Sequence, residues 1–127
     1  VDGGEAGLVM TRRDLQNKAK ENRKPWDTAK DVDESAVITP LRQMSEVPSV
    51  ASGRIHLSQN GTVKQDADLS EMVWSVPEII ADLSTMYTLQ QGDVIYMGTP
   101  AGVGAVSRGD VLAGGVEGIG DFEVKIA

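Results

Sequence analysis

The sequence predicts an α+β domain, rich in strands and carrying two helices. Three observations point there: only five of 127 residues are aromatic, glycine occurs 14 times, and apolar side chains alternate with polar ones around Ile55–Leu57 and Phe122–Ile126. A core short of rings is built from Val, Ile, Leu, Met and Ala, and frequent glycine means frequent turns. The length suits one domain spanning residues 1–127, large enough to fold without staples.

Val1–Gly7, with three glycines and two acids, reads as an irregular lead-in. A short helix is predicted over Arg12–Asn22, with Thr11 as its N-cap and an Asp14–Lys18 pair one turn apart. Its apolar stripe is narrow, only Leu15 and Ala19, so its polar face is either solvated or turned to a site. Lys24-Pro25 ends it, and Trp26–Thr39 follows as a loop without clear period. Asn60-Gly61 supplies the positive φ angles of a tight hairpin between Arg54–Gln59 and Thr62–Gln65. Ser75-Val76-Pro77-Glu78 combines an N-cap, a first-turn proline and a capping-box Glu, which predicts an amphipathic helix over Val76–Tyr87. The apolar run Asp93–Met97 predicts a buried strand that delivers the chain into the glycine loop Gly98–Gly104. A closing hairpin is predicted from Val111-Leu112 and Phe122–Ile126, with the turn-rich stretch Gly114–Gly120 between them.

Composition excludes several functions. Without cysteine there is no thiol catalysis, no Cys-ligated metal and no disulfide framework. A net charge of −7 argues against nucleic acid as a partner, since phosphate neutralisation needs a basic face. No run approaches the ~20 apolar residues that cross a bilayer, so a soluble, cytoplasmic protein with no membrane partner is expected.

The loop Gly98–Gly104 lacks the Gly-Lys-Ser/Thr of a nucleotide cradle, and Ser107 stands where the last glycine of a dinucleotide fingerprint would be. Two readings remain, a carboxylate-binding loop using Thr99 Oγ1 and nearby N–H groups, or a structural turn. Asp31, Asp33 and Glu34 lack the glycine and distal Glu of a calcium loop and read as a solvated acidic segment. His56, the sole histidine, alternates with Ile55 and Leu57 and is expected exposed on the opposite face. Nothing supplies a second His or a nucleophile elbow for serine hydrolysis. Arg13 and Gln16 share a helical face, and with Lys30 they offer donors to an anionic ligand.

Met10-Thr11-Arg12-Arg13-Asp14-Leu15-Gln16, Pro25-Trp26 with Lys30, Asn60-Gly61 with Gln65, Ser75-Val76-Pro77-Glu78, Gln91-Gly92-Asp93-Val94-Ile95 and Gly98-Thr99-Pro100-x-Gly102-Val103-Gly104 resemble the fumarylacetoacetate hydrolase family in order and spacing. The resemblance runs through nearly the whole chain. The Thr-Arg-Arg-Asp-Leu-Gln and Pro-Trp elements are similar to those of fumarylpyruvate and acylpyruvate hydrolases. It implies a β-rich mixed-sheet fold of the C-terminal type lacking its N-terminal part, a homodimer, and Mg²⁺ or Mn²⁺ chelating a small diketo acid whose carbon–carbon bond is hydrolysed. Relatives isomerise or decarboxylate through the same enolate. Residue by residue, the resemblance implies that Lys30 is catalytic, supporting metal and enolate. Gln16 would be a substrate hydrogen-bond donor, Gly98 and Thr99 the carboxylate contact, and Arg13 an orienting substrate-binding residue.

Two departures matter. The family metal needs an Asp directly before Met-Thr-Arg, where this chain has Val9, and its other carboxylates belong to a segment preceding Val1. An isopropyl group offers a hard cation no oxygen, so no metal ligand is assigned, and Mg²⁺ or Mn²⁺ is not expected to bind this chain alone. Asp2 and Glu5, in place of apolar strand residues, predict a poorly formed first strand; Val37 replaces a common proline. The expected function is an acylpyruvate hydrolase inactive as this fragment. The alternatives are a non-catalytic binding or dimerisation domain, a related isomerase or decarboxylase, or assembly with a separate chain.

Overall fold

The computed structural model describes residues 1–127. In chain order it contains β1 (Gly3–Gly4), β2 (Gly7–Val9), α1 (Arg13–Glu21), α2 (Asp27–Lys30), β3 (Ala36–Ile38), β4 (Arg42–Gln43), β5 (Arg54–Gln59), β6 (Thr62–Asp68), a 3₁₀ turn (Leu69–Glu71), α3 (Val76–Leu83), β7 (Val111–Val116) and β8 (Gly120–Lys125). Contacts group the chain into two compact units, Val1–Ala6 with Thr39–Ala127, and Gly7–Ile38.

The larger unit is built on a four-stranded antiparallel sheet in the order β6-β5-β7-β8. The β5–β6 hairpin turns at Asn60-Gly61 with φ of 50° and 78°, as the dipeptide requires. Asn60 does more than turn. Its Nδ2 donates to Asp110 Oδ1 and its Oδ1 accepts from the Val111 amide, so the hairpin tip is tied to the start of β7. Gln59 Nε2 and the Ser107 amide also donate to Asp110, and these donors hold its carboxyl below the usual carboxylate range, Asn60 contributing most. The core joins Ala6, Val47, Val116 and Ile119, flanked by Val50, Ile55, Leu69 and Phe122.

Several expectations change. The lead-in is ordered: β1 pairs with β4, and Ala6, 1% exposed, belongs to the core with its amide donating to Thr39 Oγ1. Gly114 and Gly115 are interior strand residues, not turn. A Cβ on Gly114 would meet the His56 carbonyl at 2.6 Å, so only glycine lets β7 sit this close to β5. Asp93–Met97 forms no strand, because it has no hydrogen-bonded neighbour; Val94 and Tyr96 are 59% and 50% exposed. α3 has the predicted capping box and proline but ends at Leu83, where Thr85, Met86 and Tyr87 continue only as hydrogen-bonded turns. His56 does lie off the Ile55–Leu57 face, opposite Asp66 and Gly115, but it is half-buried and its Nδ1 is enclosed without a partner.

In the smaller unit β2 pairs with β3, so this strand forms despite the acids before it. The loop predicted over Trp26–Thr39 contains α2 and β3, elements too short to leave a period in the sequence. α1 starts one residue late, and Arg12 occupies the cap position without a side-chain cap. The carboxylate of Asp14 pairs with Arg12 at 2.8 Å, not with Lys18, and Arg12 holds its pKa down.

Candidate functional site

In the smaller unit α1 buries Gln16 and Ala19, with Gln16 only 3% exposed, so one polar residue is turned inward while the rest of the polar face stays exposed. A buried amide must find partners. The Arg13 guanidinium, three residues away on the same face, donates to Gln16 Oε1. An amide whose oxygen is held by arginine is left with its NH₂ to donate, which gives Gln16 a fixed polarity. The Thr11 hydroxyl, expected to cap α1, instead accepts from Lys30 Nζ at 2.8 Å. This places the Lys30 ammonium at the end of α2, with two of its three donors uncommitted. Neighbouring backbone holds the segment in place: the Arg12 amide donates to the Ala29 carbonyl, Met10 to Ser35, and Ser35 Oγ to the Lys30 carbonyl.

In the larger unit the glycine loop Gly98–Gly104, read from the sequence as either a carboxylate-binding loop or a structural turn, is docked on β6. Gly102, at φ 104°, packs against the Lys64 carbonyl and Gln65 Cγ, where no side chain would fit. Gln65, 8% exposed, donates through Nε2 to Thr99 Oγ1 at 2.9 Å and to the Pro100 carbonyl at 2.8 Å. Gly98 has φ 106° and open space around it, so the backbone beside Thr99 is accessible. The structure thus brings Arg13 to Gln16, Lys30 to Thr11, and Thr99 to Gln65. Gln65 was visible only as a motif letter; a bulge at Lys64 interrupts the alternation of β6 and leaves Val63 exposed, so the sequence marks Gln65 neither as buried nor as the partner of a residue 34 positions away.

The residues present do not fit a divalent ion. Val9 is an exposed valine in β2, and no three His, Asp or Glu side chains converge anywhere in the chain. Hard cations take oxygen ligands in sets, and that donor set is missing here.

The sequence pattern described as Fumarylacetoacetate (FAA) hydrolase C-terminal matches residues 1–127. The chain belongs to this family. Among its members, a fumarylpyruvate hydrolase from Ralstonia sp is 50% identical over 126 residues, covering 99% of this chain and 65% of that protein. The mitochondrial oxaloacetate tautomerase of Homo sapiens is 33% identical over 126 residues, covering 99% of this chain and 57% of that protein. The fold of this family member superposes on fumarylpyruvate hydrolase from Pseudomonas aeruginosa, a structure holding Mn²⁺ and pyruvate. The TM-score is 0.92 at 41% identity, covering 96% of this chain and 53% of the other. The chain therefore spans between about half and two thirds of the relatives it matches. No helix of this family member is long and apolar enough to cross a membrane.

Proposed function

We propose that this chain is the carboxylate-recognising part of an acylpyruvate hydrolase of the fumarylpyruvate type. One observation carries the reading: the buried Gln65 amide holds Thr99 in an open, glycine-lined loop, in a chain half identical to a fumarylpyruvate hydrolase along its length. Thr99 Oγ1 and the adjacent N–H groups take the carboxylate of the pyruvyl end, because a threonine hydroxyl and free amides are donors to an acceptor-only group. In the smaller unit, taken by itself, Gln16 NH₂, oriented by Arg13, and the Lys30 ammonium are donors suited to the oxygens of an anionic ligand, the ammonium to a developing oxyanion such as an enolate. In the hydrolysis by the whole enzyme, water's oxygen would go to the acyl carbon and the bonding pair to the pyruvate enolate, which then takes a proton. The whole enzyme would use Mg²⁺ or Mn²⁺ and act as a homodimer. The donor set of this chain does not fit such an ion, so the chain alone is expected to bind the acid without turning it over.

Titration with pyruvate, followed by backbone amide resonances, tests the binding claim. Saturable shifts at Gly98 and Thr99 are expected, weakened about tenfold by Thr99→Val, the worth of one hydrogen bond to a charged group. Absence of any shift at these residues up to tens of millimolar pyruvate would contradict it.

A further inference from the structure

Gln65 has a role that recognition of the loop does not require on its face. We infer that Gln65 is the positioning residue that makes Thr99 a hydrogen-bond donor toward its carboxylate ligand. The inference rests on the assignment of the carboxylate to Thr99 made above.

A hydroxyl carries one hydrogen and two lone pairs. Gln65 Nε2 donates one N–H to Thr99 Oγ1, and an N–H cannot accept, so the hydroxyl hydrogen of Thr99 points away from Gln65. The other N–H donates to the Pro100 carbonyl. That second bond is what sets the polarity. Turned over, the amide would place Oε1 against the Pro100 oxygen, lone pair to lone pair, so a backbone carbonyl that can only accept selects which end of Gln65 faces Thr99. The side chain is rigid enough to serve: it is buried, its backbone lies opposite Leu57 in the β5–β6 ladder, and Gly102 lies so near that a Cβ added there would come within 3.2 Å of its Cγ. Thr99 is thereby a donor before any ligand arrives, and the reorientation that a free rotor would need on binding is avoided.

The test compares the unsubstituted protein with Gln65→Met and Thr99→Val, using pyruvate as probe. Both substitutions are expected to weaken pyruvate binding about tenfold. In the unsubstituted protein saturated with pyruvate, the Thr99 hydroxyl proton should be shifted downfield and slow to exchange. In Gln65→Met at saturation that resonance should be absent while Gly102 keeps its close approach to the Lys64 carbonyl on β6, read as unchanged nuclear Overhauser contacts between the two backbones. Unchanged affinity in Gln65→Met, a retained hydroxyl resonance, or an affinity loss that merely follows loss of the Gly102–Lys64 contacts would overturn the inference and leave Gln65 a latch. Failure of the unsubstituted protein to bind pyruvate would instead overturn the carboxylate assignment itself. Should Gln65→Met not fold, the Gln65 side-chain protons decide. Both should exchange slowly, and Thr99→Val should shift one of them; two fast-exchanging protons would overturn the inference.

Discussion

Gly102→Ala should unlatch the Gly98–Gly104 loop from the sheet while leaving the sheet folded. Gly102 sits at φ 104°, and a Cβ there would collide with the Lys64 carbonyl oxygen and lie 2.9 Å from the carbonyl carbon. A left-handed conformation costs an alanine about 1–2 kcal/mol, before the collision is counted. The strand gives less readily than the loop, because β6 pairs with β5 on both sides of the bulge at Lys64. The native loop is held by the packing of Gly102 on β6 and by the two Gln65 hydrogen bonds; once alanine turns that packing into a collision only the hydrogen bonds resist, together worth about 2 kcal/mol net, which is less than strain plus overlap. The loop therefore detaches, and detachment caps the loss at about 2 kcal/mol, a fall in Tm of roughly 6–10 °C for a chain of this size. Exchange of the Gln65 side-chain amide protons, both donated to the loop, with a thermal melt reads both effects. Gly104→Ala is the control: it has nothing within 4 Å and an ordinary φ, so it should be neutral or stabilising by about 0.4–1 kcal/mol. Equally slow Gln65 side-chain exchange and equal Tm in the two variants would refute the latch.

Other outcomes follow from single features. Leu112→Ala, at a residue 2% exposed in β7, should cost about 2–5 kcal/mol in urea denaturation, with the m-value unchanged. Ser75→Ala should cost about 1 kcal/mol, because Ser75 Oγ caps α3 and accepts from the Glu78 amide; circular dichroism melts would show it. Acid should destabilise the larger unit. Asp66 is held low by Arg54, Asp68 by Ser70, Glu78 by Ser75 and Asp110 by Asn60. Carboxylates depressed in the folded state add stability that is present above their unfolded values near 4 and lost as pH falls through the lower folded values. A midpoint in urea that declines below about pH 4, and less steeply in Asp110→Asn, is the expected result.

Elements with local chemical signatures were readable in the sequence. The Asn60-Gly61 turn, the Ser75–Glu78 capping box and the Phe122–Ile126 alternation each specify their own geometry within a few residues, and all are present. The failures share a cause, dependence on a partner distant in sequence. Asp93–Met97 has the composition of a buried strand, yet composition does not supply a neighbour to pair with. Gly114 and Gly115 look like turn residues until β5 and β8 crowd them from either side. Ala6 reads as loop among glycines, and only Thr39 and the core around Ile119 make it interior. The same holds for the candidate site. Arg13 and Gln16 were paired by helical spacing, whereas Lys30–Thr11 and Gln65–Thr99 join residues 19 and 34 positions apart.

Pyruvate release from fumarylpyruvate by this chain alone, in millimolar Mn²⁺, is the most direct measurement. A donor set in which Val9 stands where oxygen is needed predicts no release above the buffer rate, although pyruvate itself binds. Mn²⁺-dependent turnover would contradict it, and would mean that acids elsewhere in these 127 residues gather into a site around the ion.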